Sequence, residues 1–237
     1  MKTVICTVGI GGWYPRGVAR MIQQFAEVSP GFDIHAWVNT YPFGAPGSVI
    51  ESGWEYGPYM AKPFALLEAY KAGADIAILC DAAFYPIRSI HPLVDHIAQT
   101  GYYFCRNGYS VGEWCSDRAM ERLGQTREKL FAMEEISSYC VGLNFADGRC
   151  IELLQRWCGF AADRLTFAGP HTAAGQGGRN AGFVSTDSRV RGHRHDQTAL
   201  SVLAHHIGML KLVERPRFTT YAGHEMHETV LVNRGGL

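Results

Sequence analysis

Along this chain the apolar positions switch repeatedly between a period of two and a period of three to four, the signature of strands alternating with helices. Val4 to Val8 is a β-prone run that gives way to Gly9–Gly12, after which Val18, Met21, Ile22 and Phe25 recur at helical spacing. Ile34, Ala36 and Val38 alternate with His35 and Trp37, which predicts a second strand, and the Pro- and Gly-rich stretch from Tyr41 to Pro58 predicts a loop. A helix beginning near Pro63 carries Phe64, Leu67 and Tyr70 inward and stops at Gly73. Asp75 to Cys80 then reads as a buried strand ending at Asp81-Ala82-Ala83.

Downstream of the bend between Pro86 and Pro92, the pattern predicts a helix from Pro92 to Thr100 closed by Gly101, and a strand from Tyr102 to Cys105. Ser116 and Thr126 are candidate N-caps of two short helices. Tyr139 to Phe145 reads as a strand, and Asp147 as the cap of a helix bearing Ile151, Leu154 and Trp157. Ala168 to Gly192 has no period and holds six glycines, so a flexible loop that closes over ligand is expected there. Asp196 is expected to cap a last helix with Leu200, Leu203, Ala204 and Ile207 on one face, followed by a strand from Met209 to Val213. The alternation predicts an α/β fold, a single domain over residues 1–237 built on a mainly parallel sheet with helices on both faces.

Composition adds limits more than direction. The 237 residues are 47% hydrophobic and carry 22 basic against 22 acidic side chains, which offers no general attraction to nucleic acid or anionic membrane. Apolar runs fall well short of the roughly 20 residues that a membrane helix needs, so a cytoplasmic protein is expected. Seven cysteines, an odd number without a CxxC pair, predict reduced core thiols.

Asp81 is the most informative position, because a carboxylate directly after a buried strand stands at the carboxyl edge of a parallel sheet, where α/β folds bind ligands. The glycine loop after the first strand lacks both the GxGxxG spacing and the Lys-Ser/Thr of a phosphate-binding loop. Seven of the ten histidines follow residue 170, with no HExxH set that would support a metal hydrolase.

The segments from Pro58 to Tyr70 (PYMAKPFALLEAY) and from Ala77 to Pro86 (AILCDAAFYP), together with Val141–Phe145, Phe167–Gly169 and Gly192–Ser201 (GHRHDQTALS), resemble glycosyltransferases of the Rossmann-like GT-A fold. The resemblance runs from about residue 1 to about residue 213. It implies transfer of a sugar from a nucleotide diphosphate sugar, UDP being the commonest nucleotide, to a hydroxyl acceptor that is a glycan or small molecule. It places donor binding at Thr7, Val8, Gly9, Tyr14, Arg16, Lys62, Asp81, Ala82 and Ala83, and acceptor binding at Asn107, Trp114, His193 and His195. Asp196 and Gln197 take the catalytic positions, with Asp187 a second candidate for the base. The family's Asp-x-Asp motif holds Mn²⁺ or Mg²⁺, but here Ala83 stands at its third position, leaving Asp81 and an imidazole such as His224 as cation ligands. Two alternatives accompany this reading: a nucleotide-sugar-binding module that has lost catalysis, and a DNA-modifying transferase acting on a flipped, hydroxymethylated base.

Overall fold

The computed structural model describes residues 1–38, 57–173 and 181–234. Its centre is a five-stranded sheet made of β1 (Thr3–Gly9), β2 (Asp33–Val38), β3 (Ile76–Cys80), β5 (Tyr102–Ser110) and β6 (Glu134–Asn144), in the order β2-β1-β3-β6-β5. The sheet is mixed. β1 pairs in parallel with both β2 and β3, whereas β6 is antiparallel to both β3 and β5. Four strands therefore share one direction and β6 alone is reversed, so the mainly parallel sheet expected from the alternation is corrected to a mixed one. The reason lies between β5 and β6, where α4 (Asp117–Arg122) and α5 (Arg127–Phe131) are short helices that connect neighbouring strands at the same end of the sheet. They do not cross a sheet face as a βαβ helix does.

Alternation along the strands divides the core into two layers. Val4, Cys6, Ala77 and Leu79 face a cluster built with α2 (Gly57–Lys71), α6 (Gly148–Asp163) and α7 (His195–Ile207). Ile5, Ile76, Ile78 and Cys80 face the opposite cluster, formed with α1 (Tyr14–Val28) and α3 (His91–Thr100). A strand covered on both faces has to be apolar throughout, which is why β3 reads IAILC without a polar residue. All seven cysteines are buried free thiols. No described helix is long and apolar enough to cross a membrane.

Ser116, Thr126 and Asp147 accept N-cap hydrogen bonds from the amides of Ala119, Lys129 and Arg149. Other boundaries differ from expectation. α2 starts at Gly57, six residues before Pro63, which sits inside the helix and forgoes one backbone bond. Tyr70 is turned half out of the core, against Phe145. Residues 209–213 form a single bridge, Val213 to Cys105, in place of a full strand. The tail folds back as β9 (Thr219–Tyr221) and β10 (Leu231–Asn233), which join β4 (Phe84–Pro86) in a small second sheet. β7 (Thr172–Ala173) and β8 (Ala181–Gly182) pair within the glycine-rich segment, whose residues 174–180 lie outside the described ones, as does most of the stretch from Tyr41 to Pro58. Past β8 the chain is tied down: Ser185 Oγ and the Thr186 amide bond Asp117, and the Arg191 amide bonds Glu113.

Candidate functional site

β3 ends where its hydrophobic run ends. The Asp81 amide donates to the Tyr139 carbonyl (2.8 Å) and the Asp81 carbonyl accepts from Phe84 (2.9 Å), so the strand turns sharply and presents the Asp81 carboxylate at the sheet edge. α2 packs its small and apolar residues Ala61, Ala65 and Ala69 against the sheet, and this close seating carries Lys62 into the interior beside the end of β3. α7 enters from the same side. Its N-cap position is Arg194, without a side-chain cap bond, and Asp196 lies within the first turn. The expected capping role of Asp196 is thereby corrected: its carboxylate turns away from the helix end toward Lys62.

Lys62 Nζ lies 2.8 Å from Asp81 Oδ1 and 3.2 Å from Asp196 Oδ2. Lys62 and Asp196 are almost wholly buried, whereas the Asp81 side chain is 32% exposed. Burial alone would pull the Lys62 ammonium down, but Asp196 and Asp81 outweigh it and hold it above the usual lysine value. Burial pushes the Asp196 carboxyl up, opposed by Lys62. The two carboxylates thus share one ammonium, the reverse of a cation site in which two carboxylates share a metal.

These groups line a cavity of about 610 Å³ at the carboxyl ends of β3 and β5 and the amino half of β6. Its other walls are Asn107, Gly108 and Tyr109 from β5, Ser137, Ser138 and Tyr139 from β6, Gln197 of α7, and Arg215, Tyr221 and Asn233 from the folded-back tail. One side is aromatic: His195 stacks on Tyr59 (ring centroids 4.5 Å apart) and on His171 (5.7 Å). His195 adopts φ of 44°, a left-handed conformation that costs a non-glycine residue energy and that turns its ring into this stack. Beneath the wall, Glu135 is fully buried and receives Arg194 at 2.8 Å and the Asn107 side-chain amide. Burial pushes the Glu135 carboxyl up, and Arg194 works against that rise.

No protein-family model and no curated protein matches the chain. Among solved structures it is similar to the crystal structure of a glycosyltransferase involved in the glycosylation of the major capsid of PBCV-1. That similarity has a TM-score of 0.41 at 9% identity, over 68% of this chain and 67% of that one. A likeness so distant assigns no role to any residue.

Of the residues singled out in the sequence, the structure brings Lys62, Asp81, Asn107, His195, Asp196 and Gln197 to one cavity. Thr7 and Val8 are buried within β1, and neither they nor Gly9, Tyr14 and Arg16 line it. Ala82 and Ala83 are buried behind Asp81, with the Ala83 carbonyl taken by Arg20 at 2.9 Å. Trp114 stands one step back, under the Arg194 guanidinium (3.9 Å to the ring centroid). His193 is buried away from the cavity and fixed as a neutral tautomer, its Nε2 donating to the Thr166 carbonyl (3.0 Å) and its Nδ1 accepting from the Ser116 amide (3.5 Å). Asp187 does not line the cavity; it is bound by Arg189, which holds its carboxyl down at about 2, too acidic for a base at neutral pH.

The wall residues Arg215, Tyr221 and Asn233 escape sequence reasoning because the tail that carries them has no long period. Ser137, Ser138 and Glu135 escape it because their polarity hides a buried strand. The cation ligands expected from the family resemblance do not fit. Asp81 is already paired with an ammonium, Ala83 offers a buried methyl, and His224 is exposed with its amide on the Tyr221 carbonyl. Among the described residues no group of three or more His, Cys, Asp or Glu side chains is arranged to hold a metal ion.

Proposed function

We propose that this protein is a glycosyltransferase that moves a sugar from a nucleotide diphosphate sugar to a hydroxyl acceptor in the cavity at the carboxyl end of β3. The observation that carries the reading is the Asp81–Lys62–Asp196 cluster, two carboxylates and an ammonium within 3.2 Å, set into a polar cavity large enough for a sugar and a phosphate group. The order of the motifs in the sequence, which resembles that of nucleotide-sugar transferases, supports it.

In this reading Asp196 takes the proton of the acceptor hydroxyl as its oxygen bonds to the anomeric carbon. The bond from that carbon to the donor phosphate breaks and its electron pair leaves with the diphosphate. Burial makes Asp196 a stronger base than an exposed carboxylate, and Lys62 keeps it ionised and oriented. Asp81, the more exposed of the pair, orients sugar hydroxyls, and the Tyr59–His195–His171 wall gives a flat surface beside the ring. Excluding water from the cavity protects the donor from hydrolysis.

A screen of nucleotide sugars, read by binding and by slow release of nucleotide in the presence of small hydroxyl acceptors, tests the proposal. Asp81→Asn and Asp196→Asn should each keep the fold and lose turnover by on the order of 10²–10⁴-fold. Full activity in both variants would remove the cluster from the chemistry.

A further inference from the structure

Charge accounting within the cavity leaves one cation over. Lys62 is matched by Asp81 and Asp196, and Arg194 is matched by Glu135. Arg215 also faces the cavity, and among the described residues it pairs with no carboxylate. Its position is nonetheless tightly fixed. Nη2 donates to the backbone carbonyl (3.0 Å) and the side-chain oxygen (2.8 Å) of Asn107, and the guanidinium lies 5.6 Å from the Tyr139 ring and 5.5 Å from the Tyr221 ring. Asn107 is itself locked, since its side-chain oxygen also accepts from Ser137 and its amide donates to Glu135.

We infer that Arg215 is the anion-binding residue of this cavity and holds a phosphate group of the ligand without a divalent cation. This rests on the proposed function for the identity of the ligand, a diphosphate, but not for the presence of the site. A guanidinium held through Nη2 and flanked by two rings has a fixed position, and its Nη1 and Nε, which make no hydrogen bond among the described residues, remain to donate charge-assisted bonds to phosphate oxygens. Losing little side-chain entropy on binding makes this preorganised arginine worth more than a free surface cation. Asn107, expected from the sequence to touch the acceptor, becomes a positioning residue: each of its polar side-chain atoms is committed to Arg215, Ser137 or Glu135. The ammonium of Lys62, enclosed by two carboxylates, is not available for that task.

The experiment is a calorimetric titration of the full chain with inorganic pyrophosphate in excess EDTA. Wild-type protein is expected to bind, Arg215→Gln to bind at least tenfold more weakly, and Arg215→Lys to fall between them, since it keeps the charge but cannot both anchor on Asn107 and present further planar N–H donors. Arg156→Gln, an exposed residue of α6 paired with Glu152, serves as the control for general charge and should bind as wild type. Circular dichroism of each variant checks folding. If Arg215→Gln does not fold, the Lys variant decides: wild-type affinity in it overturns the proposal. Equal affinity in wild type and Arg215→Gln, or pyrophosphate binding that appears only with Mn²⁺, also overturns it. Arg215-dependent binding without turnover of any nucleotide sugar would sink the transferase reading and leave the anion site standing. Turnover unaffected by Arg215→Gln would do the opposite.

Discussion

Lys62 and Asp196 set each other's protonation, and this coupling gives the base its testable signature. The Asp196 carboxyl is raised by burial and lowered by Lys62, so the acidic limb of a pH–rate profile should lie above the ordinary aspartate value of 3.8. Activity should rise with pH as Asp196 ionises. Replacing Lys62 by Met removes the only cation within 4 Å of that carboxylate among the described residues and leaves Asp81 to repel it, which pushes the limb further toward neutral pH. A weak residual activity is enough to locate that limb. A limb that stays put or moves down in Lys62→Met would show that the titrating base is some other group. Lys62 itself is held above its usual value, so its charge is fully present below pH 10.5 and limits nothing across the working range.

Between elements, the placement of Asp81 depends on how closely α1 can approach the end of β3. Gly17 allows it: a Cβ at this position would collide with the Ala82 carbonyl oxygen and lie 2.9 Å from the Trp13 ring. Gly17→Ala should therefore cost about 1–3 kcal/mol by overpacking and shift the Asp81 turn, lowering thermal stability and turnover together. Gly159→Ala on the exposed side of α6 meets nothing within 4 Å and should stabilise by about 0.4–1 kcal/mol without touching activity. Thermal melts of both variants check the pair, and a neutral Gly17→Ala would mean that α1 does not brace the site. What the sequence made legible is chemistry that acts over a few residues. The unbroken apolar run of β3 announced a strand buried on both faces, and Ser116, Thr126 and Asp147 announced their caps, because a cap satisfies amides only two or three residues away. The start of β6 was not legible. The expected strand begins only at Tyr139, yet Glu135, Ser137 and Ser138 before it are buried in the same strand, and the partners that make this possible are remote in sequence: Arg194 for Glu135, Asn107 for Ser137 and Gln197 for the Ser138 amide. Asp196 misled in the converse way. It has the residue type and position of a cap, and only the three-dimensional placement of Lys62 reveals its other use.

Across the whole molecule, the concentration of histidines in the last third becomes a statement about stability once the sheet and its helices are assembled. His171, His193 and His195 converge between the glycine-rich segment and α7, with ring centroids 5.7 Å apart for His171 and His195 and 5.2 Å for His193 and His195. Burial lowers all three; Arg194 lowers His171 further, His171 lowers His193, and both His193 and His171 lower His195. His193 is held at about 4, against 6.5 when free, chiefly by its complete burial and further by His171, while its hydrogen bond to the Thr166 carbonyl works the other way. A group whose folded value is depressed takes up its proton preferentially in the unfolded chain. Its contribution to stability is complete above pH 6.5 and declines as the pH falls from 6.5 toward 4, by roughly 3 kcal/mol for a shift of this size. The protein should consequently lose thermal stability on mild acidification, before most of its carboxylates titrate. His193→Gln keeps one donor and one acceptor near the Thr166 carbonyl and the Ser116 amide but cannot take up a proton. It should lower the melting temperature at pH 7.5, where the native packing of the imidazole is lost, and make the decline between pH 6.5 and 4 shallower. Melting temperatures across that interval for the two proteins decide the matter: parallel curves would show that acid lability arises elsewhere, whereas curves that converge toward pH 4 assign it to the buried imidazole beside α7.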